Sequence, residues 1–316
     1  MLWQTVKPMD HELRTMYDRL LIAIDGSDEA THAAEYALAL ADTVGAAVDV
    51  VYVIPKQSLR MTRTARERNR LHARGEALLA AIENIAAAHD AAIETHVAEG
   101  TPAAEISTLA TERDADLIVV GRQGMTGVGK RLLGRITERV LSRSEVPICV
   151  VPFSESTPAA TTHDRLLVPT DGSDNAAAAV PHAAAMAAAY DAAVHVLNVV
   201  DLQAVGGPFN AGGLDSTFLD RLEATGQEAA DAVAADIAEA SPDIDVETAV
   251  KRTASFDGAA AGIEGYVESN DIDLIVMGSH GRSNLRRQLL GSVASAVLRT
   301  VDVPVVIAKQ EASGSA

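Results

Sequence analysis

A glycine-rich segment in the second half of the chain has residue types that suit an anion-binding loop. It reads Gly278-Ser279-His280-Gly281 and, after nine further residues, continues with Gly291-Ser292. Glycine lacks a Cβ and adopts positive φ, so consecutive backbone N–H groups can face an anion. Gly291-Ser292 is predicted to open a helix, whose N-terminal N–H groups and dipole favour phosphate, and Ser292 adds a hydroxyl donor. The segment therefore predicts phosphate binding.

An acidic turn follows a short apolar run in each half of the chain. The turns are Asp25-Gly26-Ser27-Asp28 and Asp171-Gly172-Ser173-Asp174. Apolar runs of this length are typical of strands that are buried on both faces of a parallel sheet. Ser and Asp are preferred at helix N-caps. Each turn therefore predicts the end of a strand, an exposed carboxylate and the start of a helix.

The two turns belong to an internal repeat that covers most of the 316 residues. Asp18-Arg19-Leu20-Leu21 recurs as Asp164-Arg165-Leu166-Leu167, and Val146-Pro147 recurs as Val303-Pro304. A chain of this length is typical of two domains. The predicted parts are an N-terminal extension (1–15), a first domain (16–153), a linker rich in Ser, Thr, Pro and Ala (154–163), a second domain (164–310) and a tail (311–316). Extra residues in the second copy fall in the glycine-rich stretch Gly206–Gly213.

Strand-like and helix-like runs alternate in both copies, which predicts an α/β fold. Helices are expected at Arg68–His89 in the first copy and at Asn175–Tyr190 in the second. Such alternation is typical of a doubly wound, Rossmann-like parallel sheet with helices on both faces. Each copy is predicted to form a five-stranded sheet of strand order 3-2-1-4-5, in which strands one and four are neighbours. The acidic turn and the glycine segment would then meet in the crevice where such sheets bind ligands.

The first copy keeps the same spacing but differs at one position. Asp25, Gly121, Gly124 and Gly134 correspond to Asp171, Gly278, Gly281 and Gly291. Arg135 stands where the second copy has Ser292. A guanidinium can clamp a phosphate in a bidentate contact; Arg135 could instead block the pocket or pair with an acidic neighbour. The second copy is therefore expected to be the better phosphate site.

With these elements the chain resembles tandem universal stress proteins of the ATP-binding branch of the UspA superfamily, over nearly all of residues 16–310. That branch carries G-x2-G-x9-G-[S/T] after strand four and an Asp after strand one, and the second copy matches every element. The resemblance implies that Asp171, with the adjacent Gly172, contacts the ribose or adenine end of ATP, and that Val199 or Val200 and Met277 line the adenine pocket. It implies that Gly278, Gly281, Gly291, Ser292 and Val293 hold the ribose and phosphates.

The resemblance also implies a metal and an assembly. Mg²⁺ between the phosphates is a feature of the family, although the sequence offers no dedicated carboxylate cage. Pairing in the family uses the last strand, here Pro147–Val151 against Pro304–Ala308. The two copies are therefore expected to form an internal pseudo-dimer, and a homodimer of the whole chain is a further expectation.

Charge and composition exclude several classes of partner. The chain has 26 basic and 44 acidic residues, a net charge of −18, and 3% aromatic residues. An acidic surface repels a phosphate backbone, and few aromatic rings are present on which bases could stack, which argues against nucleic-acid binding. No apolar run is long enough to span a membrane, and residues 1–15 lack the apolar core of a signal peptide, so a cytoplasmic location is expected.

Three functions are compatible with these residues. The leading hypothesis is a non-enzymatic, ATP-binding regulatory protein of the stress response that acts on an unidentified protein partner. A slow ATPase is the second, although only Asp171 is an obvious acid near the loop and no general base is evident. The third is a regulatory subunit, for example of a transporter, with vestigial nucleotide sites. His280 lies inside the glycine segment and could contact a phosphate, although a polar loop residue is the simpler interpretation.

Overall fold

A computed structural model of the protein describes residues 16–124, 132–153, 162–206, 215–281 and 290–310. The predicted extension (1–15), residues 154–161 of the predicted linker, most of the glycine-rich stretch and the tail (311–316) lie outside the described residues. The described chain forms two α/β halves with the same order of strands and major helices.

The first half opens with a strand that is apolar from Leu20 to Ile24 and ends at the acidic turn. Ser27 caps the helix that follows, because its Oγ accepts a hydrogen bond from the N–H of Ala30 at 3.1 Å. That helix ends at Gly45, which adopts a φ of 78°. The elements are β1 (Arg19–Ile24), α1 (Asp28–Val44), β2 (Ala47–Pro55), α2 (Lys56–Met61), α3 (Ala65–Ala86), β3 (Ile93–Gly100), α4 (Pro102–Glu112), β4 (Leu117–Gly121), α5 (Arg135–Arg143) and β5 (Ile148–Val151).

The second half repeats this order. Ser173 caps its first helix as Ser27 does in the first half. The elements are β6 (Arg165–Pro169), α6 (Asp174–Ala177), α7 (Val180–Tyr190), β7 (Ala193–Asp201), α8 (Leu202–Gly206), α9 (Ser216–Ala240), β8 (Val246–Thr253), α10 (Gly258–Ser269), β9 (Leu274–Gly278), α11 (Ser292–Thr300) and β10 (Val305–Ala308).

Two helix predictions need correction. The helix predicted over Asn175–Tyr190 is divided into α6 and α7. Pro181 lies in the first turn of α7, where it lacks an N–H and its ring excludes the carbonyl of Ala177 from a helical bond. The helix predicted from Arg68 begins at Ala65, because Thr64 and Glu67 form a reciprocal capping box.

The strands form one ten-stranded sheet in the order β3-β2-β1-β4-β5-β10-β9-β6-β7-β8. Each half thus has the predicted order 3-2-1-4-5, and its strands are parallel. The halves meet where β5 and β10 pair antiparallel, with Cys149 opposite Val306. The two predicted five-stranded sheets are therefore joined edge to edge into a single sheet.

Both faces of the sheet are covered by helices, so each strand contributes to two apolar cores. Leu20 and Ile22 of β1 belong to one core and Leu21 to the other, as the alternation of side chains along a strand requires. Each core includes residues of both halves, among them Cys149 with Val306 on one face and Ile148 with Ile307 on the other. The halves consequently share their interior. In the described part of the chain, no helix is long and apolar enough to cross a membrane.

Two tyrosine–histidine hydrogen bonds lie at the junction of the halves. Tyr17 Oη lies 2.7 Å from His182 Nδ1, and Tyr36 Oη lies 2.9 Å from His163 Nε2. His182 is 8% exposed, and burial lowers its pKa to about 4. The neutral imidazole is therefore the form that the folded protein accommodates.

We expect acid to destabilise the protein through His182. The unfolded chain takes up a proton near the ordinary histidine pKa of about 6.5. In the folded protein, His182 takes up a proton only when the pH falls to about 4. Stability contributed by neutral His182 is thus complete above pH ~6.5 and is lost as pH falls towards ~4, by up to about 3 kcal/mol. Urea unfolding of wild type and His182→Asn across this pH interval measures the loss in the free energy of unfolding. Equal pH slopes in the two proteins would contradict the prediction.

Candidate functional site

A pocket of about 310 Å³ opens beyond the carboxyl ends of β6 and β9, at the start of α11. This is the point at which the chain order of the sheet reverses in the second half, where doubly wound sheets bind ligands. Eight of the residues predicted from the sequence lie in its lining: Asp171, Val199, Met277, Gly278, Gly281, Gly291, Ser292 and Val293.

Asp171 is held by its own turn. Its Oδ1 accepts hydrogen bonds from the N–H of Ser173 at 3.0 Å and from Ser173 Oγ at 2.6 Å. Its Oδ2 lies against Gly281, where an added Cβ would come within 2.3 Å of that oxygen. Position 281 therefore requires glycine because the carboxylate of Asp171 occupies the space that a side chain would need.

Gly278 is constrained by the helix on the other side of the pocket. A Cβ at this position would lie 2.1 Å from the carbonyl oxygen of Asn175 and 3.1 Å from Ala176 Cα. Gly278 ends β9, so its missing side chain lets the start of α6 lie directly against the strand. The glycine thereby sets how closely the acidic turn and the glycine segment approach each other.

The start of α11 presents unpaired backbone donors to the pocket. Gly291 is the N-cap, no described side chain caps this helix, and Ser292 and Val293 are its first residues. Gly291 itself donates its N–H to the carbonyl of Ser279 at 2.8 Å, which fixes the helix start against the strand end. An uncapped helix start combines free N–H groups with the positive end of the helix dipole, which suits an anion.

His280 contributes a second donor to the same pocket. Its Nδ1 lies 3.0 Å from Ser279 Oγ, and its buried Nε2 has no hydrogen-bond partner among the described residues. Burial, and secondly the charge of Lys309, lower the pKa of His280, which keeps the ring neutral. If the hydroxyl of Ser279 donates to Nδ1, the ring proton resides on Nε2. A pocket-lining side chain then carries a buried N–H group that has no protein acceptor among the described residues.

The inner wall of the pocket is apolar. Leu197, Val199, Ile263 and Met277 supply it from β7, α10 and β9. Val200 points to the opposite face from Val199, as successive strand residues do, and is outside the lining. Gly172 is also outside the lining; it adopts a φ of 76° and allows the turn after Asp171. Of the alternatives Val199 and Val200, the structure places Val199 in the pocket.

The first half has a corresponding pocket of about 420 Å³. Its lining includes all five residues predicted there: Asp25, Gly121, Gly124, Gly134 and Arg135. Asp25 repeats the geometry of Asp171, since its Oδ2 lies 2.3 Å from where a Cβ of Gly124 would be. The side chain of Arg135 is exposed at the rim and leaves the cavity open.

Two polar side chains that line the first pocket donate to neighbouring backbone carbonyls. Gln123, the counterpart of His280, donates from Nε2 to the carbonyl of Leu132 at 2.6 Å. Thr137 donates its hydroxyl to the carbonyl of Gly121 at 2.9 Å. The two pockets thus share a backbone arrangement and differ in the polar groups that remain for a ligand.

Several lining residues were missed by the sequence reasoning. Tyr52 of β2 lines the first pocket, and Leu197 of β7 and Ile263 of α10 line the second. Their sequence signal is only that of apolar core positions, since nothing in the chain distinguishes a residue that faces a cavity from one that faces its neighbours.

A third polar cluster lies towards the amino ends of β2 and β3. Asp49 is fully buried and binds Arg19 at 2.9 Å, His96 at 2.7 Å and Arg113 at 3.1 Å. With Glu94, the carboxylate and imidazole are close enough to share a metal ion, a grouping that spacing along the chain did not indicate because it joins two strands. The two guanidinium groups already neutralise Asp49, so the cluster is best described as a buried ion-pair network.

We expect equivalent glycines of the two halves to differ in tolerance of a methyl group. Gly278→Ala places Cβ 2.1 Å from a backbone oxygen and forces a backbone shift, whereas the nearest atom to a Cβ at Gly121 is the carbonyl oxygen of Glu29 at 3.1 Å. Gly278→Ala should lower the free energy of unfolding by about 1–3 kcal/mol and Gly121→Ala by under about 1 kcal/mol. Chemical denaturation of both variants tests this; equal losses would contradict it.

Comparisons with known proteins agree with this geometry. The sequence model described as "Universal stress protein family" matches residues 16–152 and again 162–309. A universal stress protein of Methanocaldococcus jannaschii is 34% identical over 43% of this chain and 82% of its own. One of Mycolicibacterium smegmatis is 25% identical over 92% of this chain and 96% of its own.

A solved structure extends the agreement to the fold of the whole chain. The crystal structure of a universal stress protein from Archaeoglobus fulgidus aligns with a TM-score of 0.68 at 21% identity, over 94% of this chain and 98% of that one. A likeness at this identity establishes the fold. Together with the double match of the family model, it follows that the chain belongs to the universal stress protein family, in which it carries two copies of the family domain.

Proposed function

We propose that this protein binds an adenine nucleotide, ATP, in the pocket of the second half and acts as a regulatory binding protein of the stress response. The observation that carries the proposal is that one pocket is lined by the helix start Gly291-Ser292, which no described side chain caps, and by His280, whose Nε2 has no hydrogen-bond partner among the described residues. Both are donor groups of the pocket lining, and a phosphate is an acceptor with several oxygens.

The rest of the pocket fits a nucleoside. Leu197, Val199, Ile263 and Met277 form an apolar wall suited to a purine ring. Asp171 supplies the carboxylate of the lining, and ribose hydroxyls are donors that a carboxylate accepts.

Mg²⁺ would be bound mainly through the nucleotide. Magnesium commonly keeps several waters and takes its ligands from substrate phosphates together with one or two carboxylates. Asp171 is the one carboxylate in the described lining, and its Oδ1 already accepts two hydrogen bonds from Ser173. The protein residues thus fit a metal that accompanies the phosphates.

The first pocket is proposed to be the weaker nucleotide site. Gln123, the counterpart of His280, already donates to a backbone carbonyl, and Arg135 replaces the hydroxyl of Ser292. Arg135 is exposed at the rim and would reach a phosphate only from the outside. A ligand therefore finds fewer donors inside this pocket than in the second.

A binding role is favoured over catalysis. Hydrolysis of ATP needs a positioned water and a group that accepts its proton. The carboxylate of Asp171 is committed to its turn, and His280 Nε2 would act as a donor. A regulatory subunit with vestigial sites is the remaining alternative, and the donors left without a protein acceptor argue against it. The protein partner and a homodimer of the whole chain remain predictions from the sequence.

We expect Gly291→Asp to weaken ATP binding at least about tenfold and Gly134→Asp to leave it nearly unchanged. A carboxylate at position 291 would repel phosphate from the helix start and crowd His280, whose Cα lies 3.2 Å from an added Cβ. Isothermal titration with ATP, ADP and AMP should give at least a tenfold weaker Kd, about 1.4 kcal/mol, for the first variant. Loss of binding only in Gly134→Asp would overturn the assignment of the better site.

We further expect purified protein to carry adenine nucleotide and to turn over ATP slowly if at all. Extraction followed by chromatography identifies a co-purified nucleotide, and its absence together with no titratable binding would favour a vestigial site. Steady-state turnover well above ~1 s⁻¹, the low end of typical enzyme rates, would replace the binding role with an ATPase.

A further inference from the structure

We propose that the surface joining the two halves is complementary by residue type, so that a first half pairs specifically with a second half and not with another first half. The surface is the Tyr–His face, defined by Tyr17, Tyr36, His163 and His182. The matching partner is a half that has histidine wherever the first half has tyrosine. This inference is independent of nucleotide binding.

The contacts of the Tyr–His face are short, and all four residues are buried. Tyr17 Oη lies 2.7 Å from His182 Nδ1, and Tyr36 Oη lies 2.9 Å from His163 Nε2. The four residues are 2%, 1%, 0% and 8% exposed, in chain order. Because both members of each pair are buried, loss of either partner would leave a polar group without a hydrogen bond in the interior.

The two tyrosine–histidine hydrogen bonds are equivalent under the internal repeat, because they join the same two sequence positions in opposite halves. Tyr17 and His163 each directly precede Asp-Arg-Leu-Leu, and Tyr36 and His182 each lie eleven residues after the first Asp of the acidic turn. The antiparallel register of β5 and β10, with Cys149 opposite Val306, places an approximate two-fold axis between the halves. Both symmetry-related contacts take the tyrosine from the first half and the histidine from the second.

Pairing of like halves would lose this fit. Two first halves would place Tyr17 against Tyr36 at both contacts, which adds volume to a buried site and strains its packing. Two second halves would place His163 against His182, which removes volume and leaves a gap at each contact. Only a mixed pair keeps one large and one small ring at both positions, together with an O–H donor and an imidazole acceptor.

Other contacts across the junction are also one-sided. Arg122 donates from Nη1 to the carbonyl of Val301 at 2.8 Å, and Lys309 donates to the carbonyl of Leu141. Their counterparts, Ser279 and Pro152, offer no equivalent cation.

The one-sided contacts have a consequence for the pockets. Arg122 directly follows Gly121 of the first pocket and reaches the residue that follows α11, the helix that opens at the second pocket. When a first half pairs with a second half, the pair contains one pocket of each type. Pairing of like halves would instead give two pockets of the same type.

Reversal of one pair tests the proposal in the full-length protein. Tyr17→His and His182→Tyr, made singly, create the like-with-like contacts, and each should lower the Tm by at least about 4 °C. The double variant, in which tyrosine and histidine exchange places, should regain most of the loss. The exchange at Tyr36 and His163 is a second, independent cycle. Tyr17→Phe, which deletes only the hydroxyl, provides a mild variant if a single exchange does not fold.

A local readout separates pairing from general stability. Hydrogen exchange of the backbone amides of β10 should accelerate in the single variants and slow again in the double variant, while the amides of β8 at the far edge change little. The same exchange at His195 and Tyr266, a buried pair 2.9 Å apart within the second half, is the matched control and should leave β10 unaffected. Single variants as stable as wild type, or a double variant no better than the sum of its singles, would overturn the proposal.

Discussion

The antiparallel pairing of β5 with β10 is the interaction on which the rest of the structure depends. Without it each half would end its sheet in an apolar edge strand with unpaired backbone groups, a recognised liability for proteins. All four residues of each strand are buried, which requires that both faces of the strands be covered. Pairing converts two five-stranded sheets into one and makes the two apolar cores continuous across the molecule.

The same pairing fixes the relative positions of the two pockets, which share one backbone arrangement. In each half an aspartate of the acidic turn lies against a glycine that can carry no side chain, Asp25 against Gly124 and Asp171 against Gly281. The shared scaffold does not give the pockets the same chemistry. Gln123 completes its hydrogen bond inside the loop, whereas His280 Nε2 has none among the described residues. Membership of the universal stress protein family therefore accounts for the scaffold, and individual side chains decide what each copy can bind.

Duplication within one chain allows the halves to differ at their junction as well as in their pockets. A symmetric dimer must place the same residue at both copies of a contact, whereas a tandem chain can place tyrosine on one side and histidine on the other. The acid sensitivity expected of His182 and the mixed pairing of the Tyr–His face come from the same buried rings. A neutral imidazole satisfies the tyrosine hydroxyl, and a protonated ring would be a poorly solvated charge.

The sequence by itself determined the α/β class, the repeat and the positions of the glycines, because apolar periodicity and turn residues are local requirements. Only the tertiary structure decided which strands and side chains meet. It placed Val199 in the pocket lining, brought Leu197 and Ile263 to the pocket wall, divided a predicted helix near Pro181 and left His280 Nε2 without a partner among the described residues. The Tyr–His face joins residues more than a hundred positions apart, and no local pattern distinguishes such rings from other core residues until the halves are packed together.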